Sequence, residues 1–297
     1  MQEMITQVRR FNRLVTRRVG ALDERYLTRG RSLGAARMLW EIGARGEEVR
    51  RLRARLGLDS GRASRLLRGL EADGLVELRP ADGDARVRVA HLTARGRSEH
   101  AVLDRLSDDL ARGTLAPLSA RQRQRLVTAM AEVERLLTAS AVTIETTDPE
   151  HPDARQCLRA YLDELNARSP TPYDPAAGVS AEPHEFRAPL GAFVVARLGG
   201  EAVGCGAVKH PPRRPAEIKR MWVSDRARGL GLGRRLLETL ETTAIASGAT
   251  RLRLETNRTL TEAIGLYRST GYEEVAPFNH EPFADHWFEK VVDRSTA

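Results

Sequence analysis

The sequence predicts two domains: a mainly helical one with a single β-hairpin over residues 1–140, then an α/β one over residues 141–297. Three observations predict this. Residues 1–140 hold 28 Arg, no Lys and 18 Asp plus Glu, a net +10, whereas residues 141–297 hold 20 Lys plus Arg and 22 acids, a net −2. Helical apolar spacing dominates the first half, and strand-like alternation opens the second. A glycine-rich turn, Arg228-Gly229-Leu230-Gly231-Leu232-Gly233-Arg234, follows the strand-like run Ala216 to Val223 and opens a helical pattern. The basic first half points to a polyanionic partner for that domain.

Element by element, Val8, Phe11, Val15 and Val19 space out a first helix. Leu33, Ala36, Met38, Leu39, Trp40 and Ile42 mark a second, capped by Ser32. Val49, Leu52 and Leu56 mark a short third. After the turn Gly57-Leu58-Asp59 comes a fourth, with Ala63, Leu66, Leu67 and Leu70 at i, i+3, i+4 and i+7. Its opposite face carries Gly61, Arg65 and Arg68, flanked by Arg62 and Ser64. A small basic face suits a helix in a DNA major groove. Arg62, Ser64 and Arg65 are placed for base edges, and arginines on phosphates add salt-sensitive affinity.

Ala72-Asp73-Gly74 ends that helix. Two alternating strands follow, Leu75 to Arg79 and Ala85 to Leu92, around the turn Pro80-Ala81-Asp82-Gly83-Asp84. The pattern is a winged helix-turn-helix. Residues 3–137 resemble the MarR family of bacterial regulators, with Asp84-Ala85-Arg86 in the wing and Leu92-Thr93-Ala94-Arg95-Gly96 after it. The resemblance implies that Arg86 enters the minor groove and that Asp84 orients a basic partner. Two further apolar runs follow: Val102, Leu103, Leu106 and Leu110, then Leu126, Met130, Val133, Leu136 and Leu137. One small domain cannot bury them all. The resemblance implies a homodimer whose two recognition helices lie about one DNA turn apart.

The second half opens with the strand Val142 to Thr146 and a helix around Cys157–Arg168 that buries Leu158, Tyr161, Leu162 and Leu165. A proline-rich loop, Ser169 to Pro175, follows. Two strands, Phe193–Leu198 and Ala202–Lys209, meet at Gly199-Gly200. The glycine turn then offers a backbone cradle for a pyrophosphate at a helix N-terminus. Its G-x-G-x-G spacing matches neither the dinucleotide fingerprint nor the phosphate loop.

From Arg228 to Gly233 the turn reads Arg-x-x-Gly-x-Gly. With "RLRLETN" (251–257) and "EAIGLYRSTGY" (262–272), it makes roughly 142–292 resemble the GNAT superfamily of acetyl-CoA-dependent N-acetyltransferases. The resemblance implies a mixed-sheet α/β fold whose cofactor strand splays from its neighbour. Met221, Trp222 and Val223 would then pair with the pantetheine arm of acetyl-CoA. Arg228, Gly229, Gly231, Gly233 and Arg234 would hold its pyrophosphate. Tyr267 would protonate the leaving thiolate, and Glu217 would deprotonate the amine. Tyr173 and Phe186 are candidate walls of the acceptor site.

Two cysteines in different segments give no disulfide framework, and seven scattered histidines form no metal cluster. No apolar run suits a signal peptide or a membrane span, so a cytoplasmic setting is expected. Three functions stay open. The chain is a DNA-binding regulator that also acetylates a primary amine, a regulator whose second domain senses acetyl-CoA without turnover, or an acetyltransferase whose first half serves only dimerisation.

Overall fold

The computed structural model describes residues 1–20, 30–81, 83–168, 182–211 and 214–293. The chain forms two compact units, Met1–Ala129 and Met130–Ala297. The units divide between Ala129 and Met130, inside helix α6 (Ala120–Ser140), and not between residues 140 and 141 as the sequence predicts.

In the first unit α1 spans Gln2–Arg18, α2 Leu33–Ile42, α3 Val49–Leu56, α4 Ser60–Ala72 and α5 Ala94–Leu115. Strands β1 (Glu47–Glu48), β2 (Val76–Ala81) and β3 (Asp84–Leu92) form a sheet in the order β1-β3-β2. The core draws on the set the spacing predicts, with Met38, Leu39, Leu52, Ala63, Leu67 and Leu70 almost fully buried, but Trp40 is exposed and donates its indole N–H to Asp104 at 2.7 Å. Ser32 caps α2 by accepting from the Ala35 N–H at 3.3 Å. Between α3 and α4 the chain turns at Gly57, whose φ of 61° favours glycine. Asp59 then caps α4 by accepting from the Arg62 N–H at 2.8 Å.

The segment after the wing has a mechanical reason for its residues. The Thr93 hydroxyl accepts from the Gly96 N–H at 3.0 Å and donates to the Gly74 carbonyl at 2.7 Å. A Cβ at position 96 would stand 1.9 Å from the Leu75 carbonyl oxygen. Glycine there lets α5 close onto the chain leaving α4.

In contrast, α1 and α6 have no buried residue. Met4, Ile5, Val8, Phe11, Leu14 and Val15 are exposed on α1, as are Val127, Met130, Leu136 and Leu137 on α6. No helix of the described residues is long and apolar enough to cross a membrane.

The second unit is built on a seven-stranded sheet. Its strands are β4 (Thr143–Thr146), β5 (Gly191–Leu198), β6 (Glu201–Lys209), β7 (Ala216–Val223), β8 (Arg251–Thr256), β9 (Glu273–Val275) and β10 (His286–Val291). Their order is β4-β5-β6-β7-β8-β10-β9, and β7–β8 is parallel while the other pairs are antiparallel. The helices are α7 (Pro152–Arg168), α8 (Leu232–Ala246) and α9 (Thr261–Ser269). Alternation along β5 divides the core. Ala192, Val194 and Ala196 join the α8 and α9 side, and Phe193 and Val195 join the α7 side. On α7 it is Ala154, Cys157 and Leu165 that are buried, while Leu158, Tyr161 and Leu162 are half-buried. Helix α8 lies close on β6, where a Cβ at Gly206 would meet Leu240 at 2.8 Å.

Candidate functional site

Parallel pairing between β7 and β8 covers only Ala216↔Leu252 and Glu217↔Arg253. From Ile218 onward β7 leaves β8 while keeping its pairing with β6. Its backbone groups on the β8 side therefore need another partner. A cavity of about 110 Å³ opens into this divergence. Lys219, Arg220 and Met221 of β7 line it, with Glu255 of β8, Asn257 and Tyr267 of α9.

Arg220 has φ 58°, an unfavourable conformation for a residue with a Cβ, at the point where the β6–β7 register shifts. The Cys205 thiol donates to the Arg220 carbonyl at 3.4 Å. Cys157 and Cys205, far apart in sequence, are both free and buried in the cluster beneath this bulge.

At the end of β7 the chain makes the glycine turn. Gly229 (φ 76°) and Gly231 (φ 72°) are left-handed, and a Cβ on either would meet nothing within 4 Å. Conformation, not crowding, demands glycine at both positions. Gly233 differs: it lies in α8, and its Cβ would touch Leu266 at 3.4 Å. The N-cap of α8 is Gly231, which has no side chain to accept from the first-turn N–H groups, and these have no intrahelical carbonyls of their own. The arginines beside the turn are already engaged. Arg228 pairs with Glu164 and Asp225, each at 2.5 Å, and Arg234 donates to the Ser269 hydroxyl at 3.0 Å. Further bonds brace the turn: Arg135 donates to the Gly229 carbonyl at 3.1 Å, and Arg235 to the carbonyls of Ala139 and Val142.

Other site residues fall in different places. Met221 reaches the cavity. The Trp222 ring packs on the α7 side and its indole N–H donates to Glu164 at 2.9 Å. Val223 pairs with Gly204. Tyr267 is buried, with ring centroids of Tyr272 and Phe288 at 6.0 and 5.9 Å. Burial raises its phenol pKa, and the nearby charge of Glu255 adds to the rise. It therefore keeps its proton at physiological pH.

Glu217 does not line the cavity. Its carboxylate stands between Lys209 (3.4 Å) and Lys219 (3.5 Å), and of these three groups only Lys219 lines the cavity. Two carboxylates do reach the cavity, those of Glu255 and Glu281, and the sequence alone assigns a role to neither; Glu255 is the one on β8. Its position two residues beyond the last β7–β8 pair is the signal that could have found it. Phe186 is likewise no cavity wall: it is buried edge-on to Phe193, because its short 3-10 turn packs into the α7-side core. Tyr173 lies outside the described residues. Asn257, also without a role in the sequence, bonds the Phe283 carbonyl and Thr259, tying two walls together.

On the first unit, Arg62, Ser64, Arg65 and Arg68 are all exposed along one face of α4. In the wing, Asp84 accepts from the Arg86 backbone N–H at 3.0 Å and from its Nε at 3.2 Å. The partner it orients is Arg86 itself, whose side chain is 93% exposed. These bonds hold the Asp84 carboxyl below its ordinary pKa.

Comparison with known proteins bears on both halves. The MarR family matches residues 29–87, and the acetyltransferase (GNAT) family matches residues 144–272. An IAA acetyltransferase of Azospirillum brasilense is 45% identical over 87 residues, 29% of this chain and 57% of the relative. An uncharacterized N-acetyltransferase of Schizosaccharomyces pombe is 37% identical over 101 residues, 33% of this chain and 61% of the relative. The chain thus spans about three-fifths of these relatives' length. A solved GNAT-family acetyltransferase of Staphylococcus aureus, 16% identical, aligns with 52% of this chain and 100% of its own at a TM-score of 0.43. This chain joins a MarR-family segment to an acetyltransferase domain of the GNAT family.

Proposed function

We propose that residues 141–297 transfer an acetyl group from acetyl-CoA to a primary amine, and that residues 1–140 bind double-stranded DNA as a homodimer in the cytoplasm. The observation that carries the first part is the divergence of β7 from β8 at Ile218, followed by two left-handed glycines and an uncapped helix. This fits a thioester cofactor. The backbone of Met221 to Val223 offers pairing for the pantetheine arm. The N–H groups around Gly229, Gly231 and Gly233 suit the pyrophosphate. Arg228 and Arg234 add positive charge beside it while holding the turn to Glu164 and Ser269.

Acetyl-CoA supplies an activated acyl group. The chain supplies position and proton handling. Tyr267, protonated and at the cavity wall, is the proton donor. The exposed basic face of α4 and the preset Arg86 support DNA binding. The bare apolar faces of α1 and α6 support self-association.

Calorimetric titration of acetyl-CoA into wild type and Gly231→Glu tests the cofactor site. Saturable wild-type binding, lost in the variant, is expected. The substitution forces a side chain into a left-handed residue and sets a carboxylate against the phosphates. No wild-type binding would sink the enzyme reading. Binding without turnover on any amine would turn it into acetyl-CoA sensing.

A further inference from the structure

We infer that Cys157 and Cys205 close into a reversible disulfide under hydrogen peroxide, and that this bond weakens acetyl-CoA binding by releasing the bulge at Arg220. The consequence for acetyl-CoA rests on the acetyltransferase reading above; the bond itself does not. The chain has two cysteines, one on α7 and one on β6, and both are almost fully buried. The Cys157 thiol donates at 3.7 Å to the carbonyl of Gly204, the residue next to Cys205, and the two thiols are within hydrogen-bonding reach of each other. The Cys205 thiol also donates to the Arg220 carbonyl at 3.4 Å. Arg220 is left-handed where β7 bulges, and it lines the cavity. A strained residue persists where its surroundings hold it, and this thiol is one of the groups that do so.

The oxidation balances with peroxide as the only co-reactant. The Cys157 sulfur attacks one peroxide oxygen: an S–O bond forms, the O–O bond breaks, and hydroxide leaves with the thiol proton as water. The Cys205 sulfur then attacks the Cys157 sulfenic sulfur: an S–S bond forms, the S–O bond breaks, and a second water leaves with the Cys205 proton. Two thiols are oxidised and one peroxide is reduced. Peroxide is small and uncharged, which suits a buried pair. A hydrogen bond from Cys205 holds the Cys157 thiol below its ordinary pKa, whereas burial pushes Cys205 well above, so Cys157 is the attacking sulfur. The product no longer has an S–H to donate to the Arg220 carbonyl. An S–S bond of about 2 Å also draws α7 toward β6. Helix α7 carries Glu164, which holds the Trp222 indole at 2.9 Å and Arg228 of the glycine turn at 2.5 Å. Both changes act on β7 and the turn that follows it.

The test is peroxide treatment of the full chain, then maleimide labelling in denaturant, intact mass and calorimetric titration of acetyl-CoA. Reduced wild type should take two labels; oxidised monomer should take none, and dithiothreitol should restore both. Acetyl-CoA affinity should fall about five- to tenfold on oxidation, the scale of one lost hydrogen bond plus displacement, and return on reduction. In Cys157→Ser, and separately in Cys205→Ser, peroxide should leave the affinity unchanged. Thiols that stay free, irreversible oxidation, or a bond between two chains would overturn the proposal. So would the same peroxide effect in both serine variants. A disulfide that leaves acetyl-CoA affinity intact would overturn the switch and leave the acetyltransferase reading standing. No binding by reduced wild type would sink that reading and the switch with it, while the label count still decides the disulfide.

Discussion

Tyr267 serves two purposes through two parts of one side chain. Its ring packs with Tyr272 and Phe288 in the core, and its phenol edge borders the cavity. Burial and the charge of Glu255 both keep it protonated, which suits a proton donor. Tyr267→Phe keeps the ring and removes the proton. A fall of about 10²-fold in turnover is expected, with acetyl-CoA affinity unchanged within a factor of about two. Steady-state kinetics beside calorimetry would check it, and unchanged turnover removes Tyr267 from the chemistry. The two strand glutamates show why residue type is insufficient at this scale. Glu217 and Glu255 are both strand carboxylates near the cofactor turn, but one is enclosed by two lysines and the other keeps a free oxygen in the buried site.

At the scale of elements, α4 and the β2–β3 hairpin are held by short, local bonds. Asp59 caps α4, Thr93 ties the start of α5 to Gly74, and Asp84 sets Arg86. None of these uses the exposed face of α4, so that face can change without loss of fold. Arg65→Ala combined with Arg86→Ala should leave thermal stability intact and weaken DNA binding by about tenfold or more. The slope of log affinity against log salt should become shallower by about 0.9 for each phosphate the protein no longer neutralises. Fluorescence anisotropy on the protein's own upstream DNA at several salt concentrations measures both. Equal affinity in the double variant would remove these two arginines from the interface. In the second unit, the element that matters is β7, paired along one edge and released along the other.

For the whole molecule, the charge asymmetry and the uncovered helices point the same way. The domain with net +10 also carries α1, a helix with no buried residue and a row of exposed apolar side chains. Such a row seldom stays in water. Sedimentation velocity at micromolar concentration should show a dimer. Phe11→Asp with Val15→Asp should shift it to monomer and weaken DNA binding, since two half-sites would no longer be held together. A wild-type monomer would contradict the dimer.

Local rules sufficed for what the sequence determined by itself. Helical spacing located α2, α3 and α4 and most of their buried residues. Alternation located the wing strands, and the Gly-x-Gly-x-Gly turn located the start of α8. Each depends on neighbours a few residues away: a cap, a left-handed glycine, a repeating apolar face. The proline-rich loop and Tyr173 fall outside the described residues. Only the tertiary structure decided that Glu255 and Glu281 line the cavity while Glu217 does not, that Trp222 and Phe186 pack on the α7 side, and that Cys157 and Cys205 share one cluster. Those outcomes depend on where β7 parts from β8 and on which side chains meet across strands far apart in sequence. A one-residue slip in that register would send every side chain of the strand to the opposite face.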